Sequence, residues 1–109
     1  MTKNALLTAC KLACRISGDF LNDEISDLID AAFYDLEISG VADVNGNPYT
    51  AENSDALVAT AVKTYVKINL GDLIDTSEML EKLSKSYDTQ KAQLKMRNWS
   101  SSKIQGGES

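Results

Sequence analysis

The sequence contains no histidine, and that absence closes several routes to chemistry. Without an imidazole, no Ser–His or Cys–His nucleophile can be assembled. Cys10 and Cys14 are the only thiols, so thiolate and imidazole together cannot complete a zinc site within one chain. The glycines stand singly until Gly106-Gly107, which leaves no Gly-rich loop to cradle a phosphate. No apolar run approaches the roughly 20 residues that a membrane-spanning helix needs. The early run MTKNALLTACKLACRI is broken by Lys11 and Arg15 at a spacing that suits an amphipathic helix better than a signal peptide, so the chain reads as intracellular. Basic residues are too few for general nucleic-acid binding, since the net charge is −5. Neither a catalytic constellation nor a cofactor site is left, and the expectation is a small protein that is not an enzyme.

What is present is helical periodicity. The chain is 109 residues long, enough for one domain with one core. Ser54 to Gly71 (SDALVATAVKTYVKINLG) is apolar around well over half its circumference, with only Lys63 and Lys67 marking a charged edge. A helix of that kind is surrounded by neighbours, and the other segments are best understood as its cover. Asn53 or Ser54 is the expected N-cap, and Gly71 the expected stop. The pattern predicts an all-α fold, a bundle of about four helices near residues 3–16, 23–39, 54–70 and 77–96. Asn22 or Asp23 should cap the second. Residues 40–53 form a long loop, with Asn45-Gly46 as a candidate tight turn and Tyr49, beside Pro48, as its candidate contact residue. Residues 1–97 make the helical domain, and 98–109 (NWSSSKIQGGES) read by composition as a flexible tail. Cys10 and Cys14, one turn apart, read as small buried apolar residues.

Charge is unevenly distributed. Between Met79 and Lys103 six basic residues accompany two acids, a local charge of +4 that leaves −9 for the rest. The second helix sets Ile25, Leu28, Ile29, Ala32, Phe33 and Leu36 on its apolar side and Asp23, Asp27, Asp30, Tyr34 and Glu37 on its other face. An evenly spread acidic stripe is a poor metal cage, and a solvated or partner-facing surface suits it better. The last helix supplies Lys85, Lys91, Lys95 and Arg97. An acidic body and a basic arm can attract successive copies of one chain. Candidate subunit-interface residues are therefore Asp27, Asp30, Tyr34, Glu37, Lys85 and Lys91, with Tyr65 on the central helix. Three short helices hardly cover that helix, so apolar surface at Ala59, Tyr65, Val66 or Ile68 is expected to await a neighbour. Trp99, the only tryptophan, and Ile104 in the tail are candidate anchors for a partner, together with Lys95 and Arg97.

In order and local pattern the chain resembles the small head–tail connector (head-completion adaptor, or DNA-packaging) proteins of long-tailed phages and prophages. The resemblance runs from about Leu6 to Met96. It is carried by LLTACKLACRI, by the acid-capped NDEISDLIDAAFYDLEISG, by Val62-Lys63-Thr64-Tyr65-Val66-Lys67 before a glycine, and by LSKSYDTQKAQL. Family members often carry Asn-Arg near the tyrosine of the central helix. Lys63, Lys67 and Asn69 stand there in this chain, so no arginine role is carried over. The resemblance implies a virion protein of the head–tail junction, made in the host cytoplasm. It implies a ring of about a dozen copies beneath the portal, extending the DNA channel and presenting a surface to the next head-completion or tail protein. DNA would pass such a channel without sequence-specific binding. The competing reading from the residues alone is a small acidic protein-binding regulator of the antitoxin type. Gene neighbourhood separates the two: portal, protease and capsid genes for the first, a toxin or polymerase subunit for the second.

Overall fold

A computed structural model describes residues 1–70 and 77–107, with side chains through Arg97. The expected stop at Gly71 lies outside the described residues. The chain forms α1 (Lys3–Ala13), α2 (Asn22–Ile38), α3 (Ala56–Asn69) and α4 (Ser77–Gly107). Among the described residues there are no strands, only an isolated bridge between Ala42 and Pro48. No described helix is long and apolar enough to cross a membrane.

The central role of the apolar helix holds: α3 packs against each of the other three helices. Val58, Ala61, Val62 and Val66 of α3 are fully buried against Leu6 and Cys10 of α1 and Ile25, Ile29 and Leu36 of α2. Ala59 and Val66 are closed off within the chain, which overturns the expectation that they wait for a neighbour; Tyr65 and Ile68 remain half-buried.

Several boundaries differ from the expected ones for local reasons. α1 stops at Ala13, three residues early, because Arg15 turns into the left-handed region at φ +56° and the Ile16 amide donates back to the Lys11 carbonyl. α2 has no side-chain N-cap, and its flanking residue is Leu21 rather than Asn22 or Asp23. Asp23 and Glu24 in its first turn still suit the helix dipole. α3 is capped by Asp55, whose side chain accepts from the Val58 amide at 3.1 Å. Asn53 and Ser54 are already engaged in the preceding loop, Asn53 with Thr50 and Asp43 and Ser54 with the Thr50 carbonyl. α4 continues to Gly107 instead of ending near residue 96.

The loop between α2 and α3 is part of the core. Gly40, at φ +88°, ends α2 in a Schellman-type turn in which the Val41 amide donates to the Leu36 carbonyl. Asp43 then gathers the loop: its carboxylate accepts from the amides of Asn45 and Asn47 and from the Asn53 side chain, and these bonds hold it below the usual carboxylate range, Asn47 contributing most. With the turn so tied, Val41, Tyr49 and Ala51 are delivered to the interior.

Candidate interaction surfaces

α2 presents two chemically different sides. Ile25, Ile29, Ala32 and Leu36 face the core, while Asp23, Asp27, Asp30, Tyr34 and Glu37 are all exposed. The predicted acidic stripe is therefore a surface feature, and Tyr34 stands out of it 63% exposed. Asp30 pairs with Lys3 of α1 at 2.9 Å, with both side chains about half exposed. Such a pair is worth about 0–1 kcal/mol and is readily exchanged for another.

α4 is attached by a narrow seam. Among its described residues only Tyr87 and Leu94 are buried. Around Tyr87 lies a polar clasp. Its hydroxyl donates to Asp35 Oδ2 at 2.5 Å; Lys91 Nζ sits 3.3 Å from the same oxygen and from Ser39 Oγ, and 4.7 Å above the tyrosine ring. The Tyr65 ring of α3 closes the cluster at 5.5 Å from that of Tyr87, tilted by 59°. Burial and the neighbouring Asp35 carboxylate raise the Tyr87 hydroxyl pKa far above its ordinary value. A second clasp lies one end further along. Arg97 donates to Asp55 Oδ2 at 2.7 Å and to the Tyr49 hydroxyl at 3.0 Å. Partial burial raises the Asp55 pKa, but the Val58 amide and Arg97 outweigh it and leave the carboxyl below its usual range.

These contacts revise the expectations for Tyr49, Lys91 and Arg97. Tyr49 is not an exposed loop contact: it is 6% exposed, because Asp43 turns the loop inward and Arg97 satisfies the hydroxyl. Lys91 and Arg97 are engaged within the protomer, on Asp35 and Asp55, since α4 lies against those carboxylates. Tyr65 is half-buried against Tyr87. Lys85 and Lys95 remain exposed, Lys85 in a solvent-side pair with Glu81 at 3.2 Å. Trp99 and Ile104 fall on the α4 backbone, and their side chains lie outside the described residues. Asp35 was not anticipated. Its place at the border of the apolar and acidic sides of α2 was the available signal.

Chemistry has little to work with. The Cys10 thiol is fully buried and its pKa is pushed up to about 12, by burial first and by Cys14 second; Cys14 moves the same way for the same main cause. Neither is a ready nucleophile or metal ligand. Among the described residues no group of three or more metal-ligating side chains is placed to hold an ion. A cleft of about 240 Å³ between Lys3, Asp30, Phe33 and Tyr49 falls below the roughly 300–1,000 Å³ of small-molecule sites, and Lys3 and Asp30 on its rim pair with each other.

What the molecule does offer is an acidic outward face on α2, exposed lysines among acids on α4, and a projecting helix end. Arg97 lies against Asp55, the N-cap of α3, so residues 98–107 of α4 run past the start of α3. At 1.5 Å per residue that overhang is about 15 Å. Comparison with known proteins agrees with an assembly role: the family model described as Phage connector protein matches residues 6–100. No curated protein and no solved structure matches the chain.

Proposed function

Because the chain belongs to the phage connector protein family, we propose that it acts as a ring-forming adaptor at the head–tail junction. In this reading it seats on the portal vertex of the capsid after DNA packaging, lengthens the DNA channel, and offers its far side to the next head-completion or tail protein. The family is a structural one, whose partners are the phage's own portal, capsid or tail proteins. The observation that carries the reading is the extent of the family match, which spans residues from all four helices.

Physical features support it. A ring needs a heterologous contact, one patch meeting a different patch on the next copy. The acidic outer face of α2 and the lysine-bearing outer face of α4 are two such patches. The overhanging end of α4, carrying Trp99 and Ile104 just beyond Lys95, is the segment proposed to dock on the portal. Acidic surface along a channel would repel the phosphate backbone and let DNA slide, where basic surface would hold it.

The test is reconstitution. Capsids that carry portal and packaged DNA but lack this protein should fail to join tails, and purified protein should bind them and restore joining. Protein that stays monomeric at high concentration and never associates with portal-bearing capsids overturns the reading.

A further inference from the structure

We infer that successive copies pack α2 of one against α4 of the next, in a register fixed by the protomer itself; this rests on the ring reading above. The two faces are distinct and both exposed. On α2, Asp27, Asp30 and Tyr34 stand across the helix from Ile29 and Leu36. On α4, Lys82, Lys85, Thr89, Ala92 and Met96 repeat at three- and four-residue intervals, across the helix from Tyr87 and Leu94, and all five are exposed. Met96 is 71% exposed, a large apolar side chain with no cover. Asp27 and Asp30 are complementary to Lys82 and Lys85, while Glu78 and Glu81, also exposed, lie beside those lysines on α4.

The register follows from contacts inside one protomer. Tyr87 reaches Asp35, Lys91 reaches Ser39, and Lys95 Cε lies 3.7 Å from where a Cβ on Gly40 would stand. α2 and α4 therefore run in the same direction, and a residue of α2 is level with the one 52–56 positions later on α4. The proposal sets the ring axis parallel to these helices, and rotation about such an axis changes neither direction nor height. At that offset Asp27 of one copy meets Lys82 of the next, Asp30 meets Lys85, and the Tyr34 ring covers Thr89 with Ala92 beside it. The present partners of Asp30 and Lys85, Lys3 and Glu81, are surface pairs that yield at little cost. Because the two patches differ, the contact repeats from copy to copy, and with no rise along the axis it closes as a ring.

The experiment uses two charge-reversed forms of the full chain, Asp27→Lys with Asp30→Lys, and Lys82→Glu with Lys85→Glu. Assembly is followed by native mass spectrometry and electron microscopy, alone and on portal-bearing capsids, with circular dichroism to establish that each form is folded. Each form alone should need at least about tenfold more protein than the wild type for half-assembly. An equimolar mixture should recover assembly by alternation, since the basic α2 of one form meets the acidic α4 of the other at every second junction and the unaltered acidic α2 and basic α4 meet at the junctions between. If both forms assemble as the wild type does, or if the mixture gains nothing, the contact is wrong while the ring stands. If the wild type forms no ring in either setting, ring and contact fall together.

Discussion

The Tyr87 hydroxyl of α4 donates to the Asp35 carboxylate of α2, 52 residues earlier, while Lys91 lies over the tyrosine ring and shares the same oxygen. One aromatic side chain thus supplies much of the apolar seam and the polar clasp that hold α4. Tyr87→Phe keeps the ring and removes the donor. Hydrogen bonds to charged groups contribute roughly 1.5–3 kcal/mol, and Asp35 keeps Lys91 and some solvent, so the expected loss is about 1–2 kcal/mol. Urea unfolding should show a lower midpoint with an unchanged slope.

Tyr65→Asp probes a candidate subunit-contact residue whose ring leans on Tyr87, half-buried in the α3–α4 seam. The substitution removes an aromatic pair and sets a carboxylate near that of Asp35, at an expected cost of about 2–3 kcal/mol. The loss should appear in the unfolding curve of dilute monomer. A variant with wild-type stability and weakened assembly would return Tyr65 to the interface.

The helices were legible where one face alone decided them. Ile25, Leu28, Ile29, Ala32, Phe33 and Leu36 recur at helical spacing; Ile25, Ile29, Ala32 and Leu36 are buried, and Leu28 and Phe33 half-buried against the core. The apolar excess of α3 announced its central place. The failures share a cause: each depended on a partner distant in sequence or on a choice among equals. Asn53, Ser54 and Asp55 are all good caps, and only the loop's own bonding leaves Asp55 for the role. Tyr49 sits in a polar stretch and is buried because Asp43 folds that stretch and Arg97, 48 residues on, meets its hydroxyl. Lys91 looked like a surface cation because Asp35 is 56 residues away. The end of α4 was misjudged since serines and glycines argue against a helix on composition alone, yet α4 runs through them. The acidic face of α2 was read correctly as exposed, but no residue pattern could say which surface lies level with it.

Arg15 holds φ +56°, a conformation that ends α1 and that side chains with a Cβ adopt only at a cost. Gly40 fills the equivalent place after α2 without that penalty. Arg15→Gly should therefore stabilise the protein by about 0.5–1 kcal/mol, since the strain is removed and part of the gain is lost to a freer unfolded chain. Arg15 is exposed, so no core packing changes. Thermal unfolding should move upward; a decrease would mean that the arginine side chain makes a contact that outweighs the backbone strain.

Alkaline pH should loosen the fold before any reagent does. Burial raises the pKa of Cys10 from 9.0 to about 12, and Cys14 and Tyr87 move in the same direction. Each group ionises more readily in the unfolded chain, so its contribution is fully present below the unfolded value and is lost as pH rises toward the folded one. For Cys10 that window runs from 9.0 to about 12. Stability should be level from about pH 7 to 8.5 and then decline, each titrating group adding up to about 1.4 kcal/mol per pH unit. Cys10→Ala is less stable at neutral pH but should show a shallower alkaline decline. An equal slope in wild type and variant would assign the loss to other groups.

The end of α4 can be separated from the fold it leaves. The buried anchors Tyr87 and Leu94 and the Arg97–Asp55 bridge all precede residue 98. Deleting residues 98–109 should therefore lower the unfolding midpoint little, by about 0.5 kcal/mol or less in free energy, as expected for residues beyond the packed seam. Residues 1–97 would then stand as the folded domain. Under the docking role proposed for Trp99 and Ile104, the same truncation should abolish binding to portal-bearing capsids while leaving contacts between copies intact, because Asp27, Asp30, Lys82 and Lys85 remain. Co-sedimentation with capsids measures the first, native mass spectrometry the second. A truncated protein that still joins capsids would move the docking surface onto the bundle. One that unfolds would show that the overhang supports the core, and substituting Trp99→Ala alone would then decide whether the portal contact resides in that side chain.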